Sequence, residues 1–374
     1  MATVRGFCDE RFAAVREVFE KHLDEGADLG ASCAVYADGE PAVDLWGGYV
    51  DEDRTTPWAE DTIVNVWSTT KTMTALCALV LADAGELDFS ARVARYWPEF
   101  ANANKRDVEV RQVMGHTSGL AGWTSPMTSE DLYDWEKATG LLAAQEPWWS
   151  PGSASGYHAL TQGYLVGELV RRLTGHSVGR FFAEQVAGPL GADFFIGTPE
   201  SADSRVAPVV PPESAARWSS DDAPLASRTF LNPPLPAQTS RSLPWRRAEI
   251  PAANGHGNAR AVAGVLSVLA CGGEARGVRL LTAEGCERVF DEQSDGKDLV
   301  LGVPLRFGMG FGLTGELFPG APRTCFWGGW GGSVAVADLD ARVSVAYAMN
   351  KMGSGVLSDA RGAALVRAVL SAPA

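Results

Sequence analysis

Ser68 and Lys71 have residue types and a spacing that could carry out nucleophilic catalysis. They bound an S-x-x-K pattern, Ser68-Thr69-Thr70-Lys71, at the start of an apolar run that predicts a helix ending at Gly85. Residues three apart on a helix share a face, so the Lys71 amine can reach the Ser68 hydroxyl. A free lysine, with a pKa of about 10.4, is a poor base at neutral pH, so burial would have to lower that pKa. We predict Ser68 as nucleophile and Lys71 as base, although a helix-capping serine followed by a surface lysine would give the same short pattern.

A second candidate nucleophile is Ser177, in the G-x-S-x-G match from Gly175 to Gly179. The nucleophile elbow of α/β-hydrolases follows a strand, whereas this match follows a helical pattern. We expect Gly175 to end that helix and Ser177 to cap the next one. An elbow also needs a downstream histidine, and His256, the only one left, lies in a glycine-rich turn. The pattern therefore indicates a helix junction.

A glycine pattern, G-x-G-x-x-G, runs from Gly310 to Gly315. A dinucleotide site would need a helix directly after it, with its N-terminus facing the pyrophosphate. The following residues, ELFPGAP, cannot continue a helix, and Gly308, Gly310 and Gly312 alternate as they would along a strand. We expect a strand here and no cofactor.

Composition and charge exclude several classes of function. The 374 residues include 32 Lys and Arg and 46 Asp and Glu, a net charge of −14, which disfavours binding to nucleic acid and to anionic membrane surfaces. The N-terminus is charged and has no apolar signal core, and no apolar run is long enough to span a membrane. The six cysteines and five histidines are scattered, which predicts free thiols, no metal site and a cytoplasmic protein.

Hydrophobic periodicity and turn residues divide the chain into helices and strands. Asp38-Gly39 predicts a hairpin turn between two strands that cover residues 32–50. Nine of the 21 prolines lie between Ala207 and Pro251, a density that predicts an ordered loop without regular helix or sheet. Other predicted helices cover 11–25, 259–270 and 356–370, most of 108–187 is helical, and predicted strands cover 307–313, 324–329, 333–339 and 342–350.

Strand patterns occur near both chain ends, and helical patterns occur between them. This order predicts an α/β (α+β) fold, in which an antiparallel sheet built from both termini is flanked by helices and carries an inserted all-helical subdomain. We expect one domain over residues 1–374, with three subdomains. These are 1–67 together with 252–374, the mainly helical 68–200, and the Pro-rich loop or flap 201–251.

Five segments in order resemble the class C β-lactamase-like superfamily and, within it, the family VIII carboxylesterases. The resemblance extends from about Leu29 to Asn350, most of the chain. The segments are VNVWSTTKTMTALCALVLADAGELDFSARVARYWPEF, VRQVMGHTSGL, YHALTQGYLVGELVRRLTG, NGHGNARAVAGVLSVLACGG and FWGGWGGSVAVADLDARVSVAYAMN. The resemblance implies the serine β-lactamase and penicillin-binding-protein fold and a serine hydrolase.

The resemblance also assigns roles to individual residues. Tyr157 stands at the family's second catalytic group and would pass protons between serine, lysine and the leaving group. Trp327-Gly328-Gly329 stands where β-lactamases keep K-T-G, and the N–H of Trp330 would complete an oxyanion hole with the N–H of Ser68. Trp327, Gly328, Gly329, His158 and Ala159 are the implied substrate-binding residues.

Two departures from the β-lactamase pattern affect the implied substrate. Ala159 replaces an asparagine that contacts the acylamido arm of β-lactams, and Trp327 replaces a lysine that helps hold their carboxylate. Both changes favour neutral esters. His116 and Ser118 are expected to hold a loop by hydrogen bonds, and six tryptophans are candidates for the pocket wall: Trp58, Trp67, Trp123, Trp148, Trp149 and Trp330.

The sequence therefore predicts a cofactor-free hydrolase or acyl transferase that acts on a small-molecule ester through an acyl-enzyme on Ser68. A D-amino-acid peptidase or weak β-lactamase using the same serine is the alternative enzyme. A catalytically silent binding protein with the same fold is the alternative outside enzymes.

Overall fold

A computed structural model describes residues 3–213 and 224–373. The α-helices are α1 Ala13–Asp24, α2 Thr70–Asp83, α3 Val110–Met114, α4 Trp135–Ala144, α5 Thr161–Thr174, α6 Val178–Phe182, α7 Gly188–Leu190, α8 Pro224–Phe230, α9 Leu243–Arg247, α10 Ala259–Ala270, α11 Ala283–Glu287 and α12 Ala360–Leu370. The strands are β1 Val4–Cys8, β2 Gly30–Ala37, β3 Glu40–Gly48, β4 Ile63–Asn65, β5 Phe194–Ile196, β6 Val206–Ala207, β7 Gly255–Gly257, β8 Glu274–Ala275, β9 Val278–Arg279, β10 Ser294–Lys297, β11 Pro304–Phe307, β12 Gly312–Leu313, β13 Thr324–Gly328, β14 Val334–Asp338 and β15 Val343–Met349.

Within residues 3–213 and 224–373, nine strands form an antiparallel sheet in the order β1-β3-β2-β15-β14-β13-β12-β11-β10. The first three come from the start of the chain and the other six from its end, which confirms the predicted fold class. The pairing of β2 with β15, with Val35 opposite Val345, joins the two ends of the chain. A turn at Asp38 and Gly39 connects β2 to β3, and both residues have positive φ, as a two-residue hairpin requires.

Helices cover both faces of the sheet. Even-numbered and odd-numbered side chains of β15 therefore have different partners. The Ser344 hydroxyl donates to the Ala263 carbonyl of α10, and the Tyr347 hydroxyl donates to Asp28, which also binds Arg361 of α12. Odd and even positions of a strand point to opposite faces, so this strand is covered on both. All seven residues of β15 are buried.

The predicted helix after Ser68 is a central element of the helical region. A 3₁₀ turn, Trp67–Thr69, leads into α2, which is buried along nearly all of its length and packs against α5. The helical content of residues 108–187 is lower than expected, because segments 115–129 and 145–160 are mostly loops. The predicted helix junction is confirmed, since Gly175 ends α5 with φ of 73° and the Ser177 hydroxyl caps α6 by accepting the Arg180 N–H.

The structure differs from the predicted elements in three details. Gly308 and Gly310 lie in a turn between β11 and β12, in which Gly310 has φ of 84°, so the glycines permit a reversal of the chain instead of forming a continuous strand. The last helix begins at residue 360, after an Asp359 cap, and not at 356. A second, four-stranded sheet, β5-β7-β4-β6, was not predicted, because its strands have only two or three residues.

The prediction that the Pro-rich segment lacks regular helix is also wrong. It contains α8 and α9, and the second of these has Pro244 in its first turn. Proline has no N–H to donate, but the first turn of a helix does not use that donor, so these helices tolerate it. Part of the expected flap, residues 214–223, lies outside the described residues.

Candidate active site

Ser68 lies in the 3₁₀ turn before α2, on a backbone held by hydrogen bonds from a neighbouring strand. Trp67 has φ of 49°, which a bulky residue rarely adopts. The Thr70 hydroxyl donates to the Trp67 carbonyl at 2.5 Å and accepts the Gly255 N–H at 2.8 Å. These contacts stabilise the strained turn and fix the position of Ser68 at the start of the helix.

The Lys71 amine lies beside the Ser68 hydroxyl, with 3.2 Å between Nζ and Oγ. Nζ also donates to the carbonyl oxygens of Ala159, at 2.7 Å, and of Ala252, at 2.9 Å. The predicted one-turn contact is therefore present, and two distant backbone segments complete the surroundings of the amine. Its three oxygen partners lie in three separate parts of the chain.

Burial of Lys71 shifts its proton equilibrium towards the neutral amine. The side chain is almost fully buried, and this burial lowers its pKa well below the usual lysine value. A neutral amine has two N–H donors, which matches the two carbonyl acceptors. Its lone pair can then accept the proton of the Ser68 hydroxyl, so the arrangement suits a general base.

Tyr157 donates its hydroxyl to Ser68 Oγ at 2.6 Å, although the two residues are 89 positions apart. Its backbone N–H donates to the buried Asp298 carboxylate at 3.0 Å. The next residue, His158, donates its N–H to Nδ1 of His116. Two backbone anchors therefore hold Tyr157 in a loop that has no regular secondary structure.

Burial also determines the protonation of Tyr157. Burial raises its pKa above the usual tyrosine value. The Lys71 Nζ lies 4.8 Å from the centre of the Tyr157 ring. Tyr157 is therefore a neutral hydroxyl that donates to Ser68 and can pass a proton onward.

The turn after β13 lies directly against the turn that carries Ser68. The Ser333 hydroxyl donates to the Val66 carbonyl at 2.8 Å and lies 2.9 Å from the Thr69 hydroxyl. A Cβ on Gly329 would meet the Val66 oxygen at 2.3 Å, so a side chain there would separate the two turns. This contact brings Trp330 next to Ser68, and the rings of Trp330 and Trp67 are 4.9 Å apart.

Arg361 of α12 also contacts the turn after β13. It donates to the Gly331 carbonyl at 2.8 Å, to the Lys351 carbonyl at 2.9 Å and to the Asp28 carboxylate at 2.7 Å. A buried guanidinium with several acceptors holds backbone segments in fixed relation. The C-terminal helix thus helps to position the turn that carries Trp330.

A small apolar cleft of about 60 Å³ opens over Ser68. Its polar lining consists of Ser68, Tyr157 and Thr229, and the described lining residues include no charged side chain. The other lining residues are Trp67, Ala159, Leu160, Phe230, Pro233, Leu235, Ala253, Trp330 and Val356.

The structure does not bring all of the predicted substrate-binding residues to this cleft. Ala159 lies in its wall, but His158 and Trp327 are buried behind it. The Trp327 ring packs 5.4 Å from the Tyr157 ring, and His158 hydrogen-bonds to the Ser118 hydroxyl. Burial lowers the pKa of His158 to about 3, so it is a neutral support for the Tyr157 loop.

The remaining predicted residues have supporting positions. Gly328 packs under the Leu357 carbonyl, which a Cβ would approach to 1.7 Å, so it supports the cleft instead of lining it. His116 is buried against the Tyr157 ring and accepts the His158 N–H, as expected for a structural histidine. Of the six candidate tryptophans, only Trp67 and Trp330 line the cleft in the described residues.

Several residues that contribute to the site were not predicted from the sequence. The Ala252 carbonyl binds Lys71 through its backbone, so no side-chain pattern could reveal it. Asp298 anchors Tyr157 from 141 residues away, which no local spacing shows. Thr229 and Phe230 belong to α8, in the segment expected to be a loop.

The chain belongs to the Beta-lactamase family. The sequence profile of that family matches residues 15–369. The esterase/β-lactamase LipL of Mycobacterium tuberculosis is 36% identical, and the match covers 96% of this chain and 86% of LipL. This chain is an enzyme of the serine hydrolase class.

Two solved structures are similar over nearly the whole chain. A family VIII carboxylesterase has 43% identity and a TM-score of 0.93, and the match covers 98% of both chains. A penicillin-binding-protein homologue from Caulobacter crescentus has 39% identity and a TM-score of 0.94, covering 99% of this chain and all of the other. The predicted resemblance and fold are confirmed.

In the described part of the chain, no helix has the length and apolar character needed to cross a membrane.

Proposed function

We propose that this protein hydrolyses small carboxylic esters, or transfers their acyl group, through an acyl-enzyme on Ser68. The observation that carries the proposal is the convergence of Lys71 Nζ and Tyr157 Oη on one serine oxygen, at 3.2 and 2.6 Å, at an apolar cleft. A nucleophile with an adjacent base and a second proton carrier is the arrangement that covalent acyl transfer requires.

In the proposed acylation step, neutral Lys71 accepts the Ser68 proton while Oγ forms a bond to the ester carbonyl carbon. The carbonyl electron pair moves to oxygen, which the N–H groups of Ser68 and Trp330 stabilise. The bond to the alcohol oxygen then breaks, and that oxygen takes a proton from Lys71, or from Tyr157, which is reprotonated by Lys71, so both side chains return to their neutral forms. Water, or another alcohol or amine, attacks the acyl-enzyme in the reverse sequence and releases Ser68.

A neutral ester suits the cleft better than an anionic substrate. Its described lining offers no Lys or Arg to pair with the carboxylate of a β-lactam or of a peptide C-terminus. Burying an unpaired carboxylate there would be costly, whereas alkyl groups fit an apolar wall. Ala159 and Trp327, in place of polar residues, agree with this preference.

The test is to label the protein with a fluorophosphonate probe and to measure hydrolysis of p-nitrophenyl butyrate. Labelling and turnover should occur in the wild type and be absent in Ser68→Ala. Ser177→Ala is the matched control, because Ser177 lies in the other nucleophile-like motif, and it should still be labelled. Failure of the wild type to label would favour a catalytically silent binding protein.

β-Lactamase or D-amino-acid peptidase activity is the second candidate, since LipL is named both esterase and β-lactamase. Comparing kcat/KM for p-nitrophenyl butyrate and for a chromogenic cephalosporin separates the two. Faster turnover of the cephalosporin would overturn the ester preference.

We also propose a cytoplasmic location for this protein. The proposed subdomains are 1–67 together with 252–374, 68–200, and 201–251. The free thiols of all six cysteines support a reducing compartment.

A further inference from the structure

An apolar groove lies next to the Ser68 cleft, between α12 and the strands β13 and β14. We name it the side groove. Its volume is about 360 Å³, against about 60 Å³ for the cleft. It is lined by Leu301, Val303, Leu317, Phe318, Phe326, Val334, Val356, Leu357, Ser358, Asp359, Ala363 and Val366.

Val356 lines both the side groove and the cleft, so the two cavities adjoin at this side chain. The backbone behind it is fixed to the sheet, because Gly328 of β13 packs directly against the Leu357 carbonyl. The Gly331 N–H also donates to the Gly355 carbonyl at 2.8 Å. A substrate held at Ser68 would have to go round Val356 to enter a groove of defined position.

The chemistry of the side groove suits a hydrocarbon chain. Phe318 and Phe326 stack with their ring centres 4.1 Å apart, which gives a flat apolar surface. Among its described lining residues only Asp359 is charged, and it is paired with Arg361, so it is not available as an anchor for a charged ligand. Leu317 is 42% exposed at this surface, which leaves an apolar side chain for a ligand to cover.

We propose that the side groove binds the aliphatic chain of the ester while its carbonyl is held at Ser68. This inference rests on the proposed ester hydrolysis and names a longer-chain substrate class for the same site. The aliphatic chain can belong to the acyl part or to the alcohol part of the ester, since both are attached to the carbonyl carbon. The cleft at Ser68 is the smaller of the two cavities.

The first experiment measures kcat/KM for two ester series below the concentration at which they aggregate. One series is p-nitrophenyl esters from butyrate to decanoate, and the other is butyrate esters of alcohols of increasing length. In one series, kcat/KM should rise up to about fourfold for each methylene that enters the groove. The series that shows the rise identifies which part of the ester occupies it.

The second experiment compares two leucine substitutions at exposed positions. Leu317→Asp places a charge in the side groove and, in the ester series that shows the rise, should reduce the ratio of longest-chain to shortest-chain kcat/KM by at least tenfold. The matched control is Leu243→Asp, because Leu243 is 54% exposed and does not line the groove, and its ratio should stay at the wild-type value. Val303→Asp repeats the test at a second lining position if Leu317→Asp lowers the melting temperature.

The outcomes separate this inference from the proposed function. Hydrolysis of butyrate with no gain for longer chains in either series would overturn the side groove and leave ester hydrolysis intact. An equal ratio in Leu317→Asp and Leu243→Asp, whether lowered or unchanged, would also overturn it. Absence of all ester turnover would overturn the proposed function itself.

Discussion

Two buried lysines of this protein have closely similar surroundings, but only one of them lies beside a hydroxyl group that can be deprotonated. Lys71 and Lys105 each place Nζ among three oxygen atoms and near an aromatic ring, 4.8 Å from the centre of Tyr157 and 5.4 Å from that of Phe100. The partners of Lys105 are the carbonyls of Asn102, Ala143 and Gln145. Those of Lys71 are two carbonyls and the Ser68 hydroxyl.

The comparison shows that burial of an amine does not by itself make a catalytic base. Burial lowers the pKa of both lysines, that of Lys105 to about 8. A carbonyl oxygen has no proton to give, so Lys105 can only tie backbone segments together. The hydroxyl beside Lys71 can lose its proton and becomes a nucleophile when it does.

The largest expected effect is the loss of kcat/KM when Lys71, and not Lys105, is substituted. Lys71→Met should reduce kcat/KM for p-nitrophenyl butyrate by about 10³-fold, as expected for loss of a general base. Lys105→Met should leave kcat/KM within about threefold, but destabilise the protein by about 1–3 kcal/mol through its unpaired carbonyls. Steady-state kinetics and denaturant unfolding of both variants test this. Equal losses of activity would remove the distinction.

The next largest effect comes from changing the aromatic residues beside the two lysines, Tyr157 and Phe100. Tyr157→Phe keeps a ring near Lys71, as Phe100 provides near Lys105, and removes only the hydroxyl. We expect kcat to fall by about 10²-fold, because the proton path to the leaving group is lost. The control is Phe100→Leu, which should alter stability and not kcat. An unchanged kcat in Tyr157→Phe would exclude the hydroxyl from the reaction.

The pH dependence of kcat/KM should show an acid limb that belongs to Lys71. The neutral amine is the active form, so activity rises as pH increases through the lowered pKa of Lys71, well below the usual lysine value. A pH profile of p-nitrophenyl butyrate hydrolysis measures this limb, and Lys105→Met should keep its midpoint. Activity that declines as pH rises through the neutral range would contradict a neutral base.

The smallest effect is a pH dependence of stability that belongs to Lys105. Between pH 8 and about 10.4 the unfolded chain keeps a proton on this lysine, whereas the folded chain releases it above about 8. The unfolding free energy should therefore rise with pH across this window. Urea unfolding of the wild type and Lys105→Met at pH 8 and pH 10 isolates the contribution. A smaller rise in the variant supports it, and an identical rise argues against it.

Local patterns predicted much of the fold correctly. The hairpin at Asp38-Gly39 and the cap at Ser177 depend on residues a few positions apart, so their geometry follows from backbone preferences. The Pro-rich segment was predicted poorly, because a count of prolines ignores that Pro244 occupies a helical first turn. Similarly, the alternating glycines near Gly310 satisfied a strand pattern but serve a turn that needs positive φ.

The sequence by itself determined the Ser68 and Lys71 contact, because both residues lie within one turn at the start of a helix. It also determined that strands from the two ends of the chain would share a sheet. Only the tertiary structure decided that Tyr157 and the carbonyls of Ala159 and Ala252 would meet there. These groups lie 88 to 181 positions from their partners, or act through backbone atoms that every residue has, so no side-chain spacing encodes them.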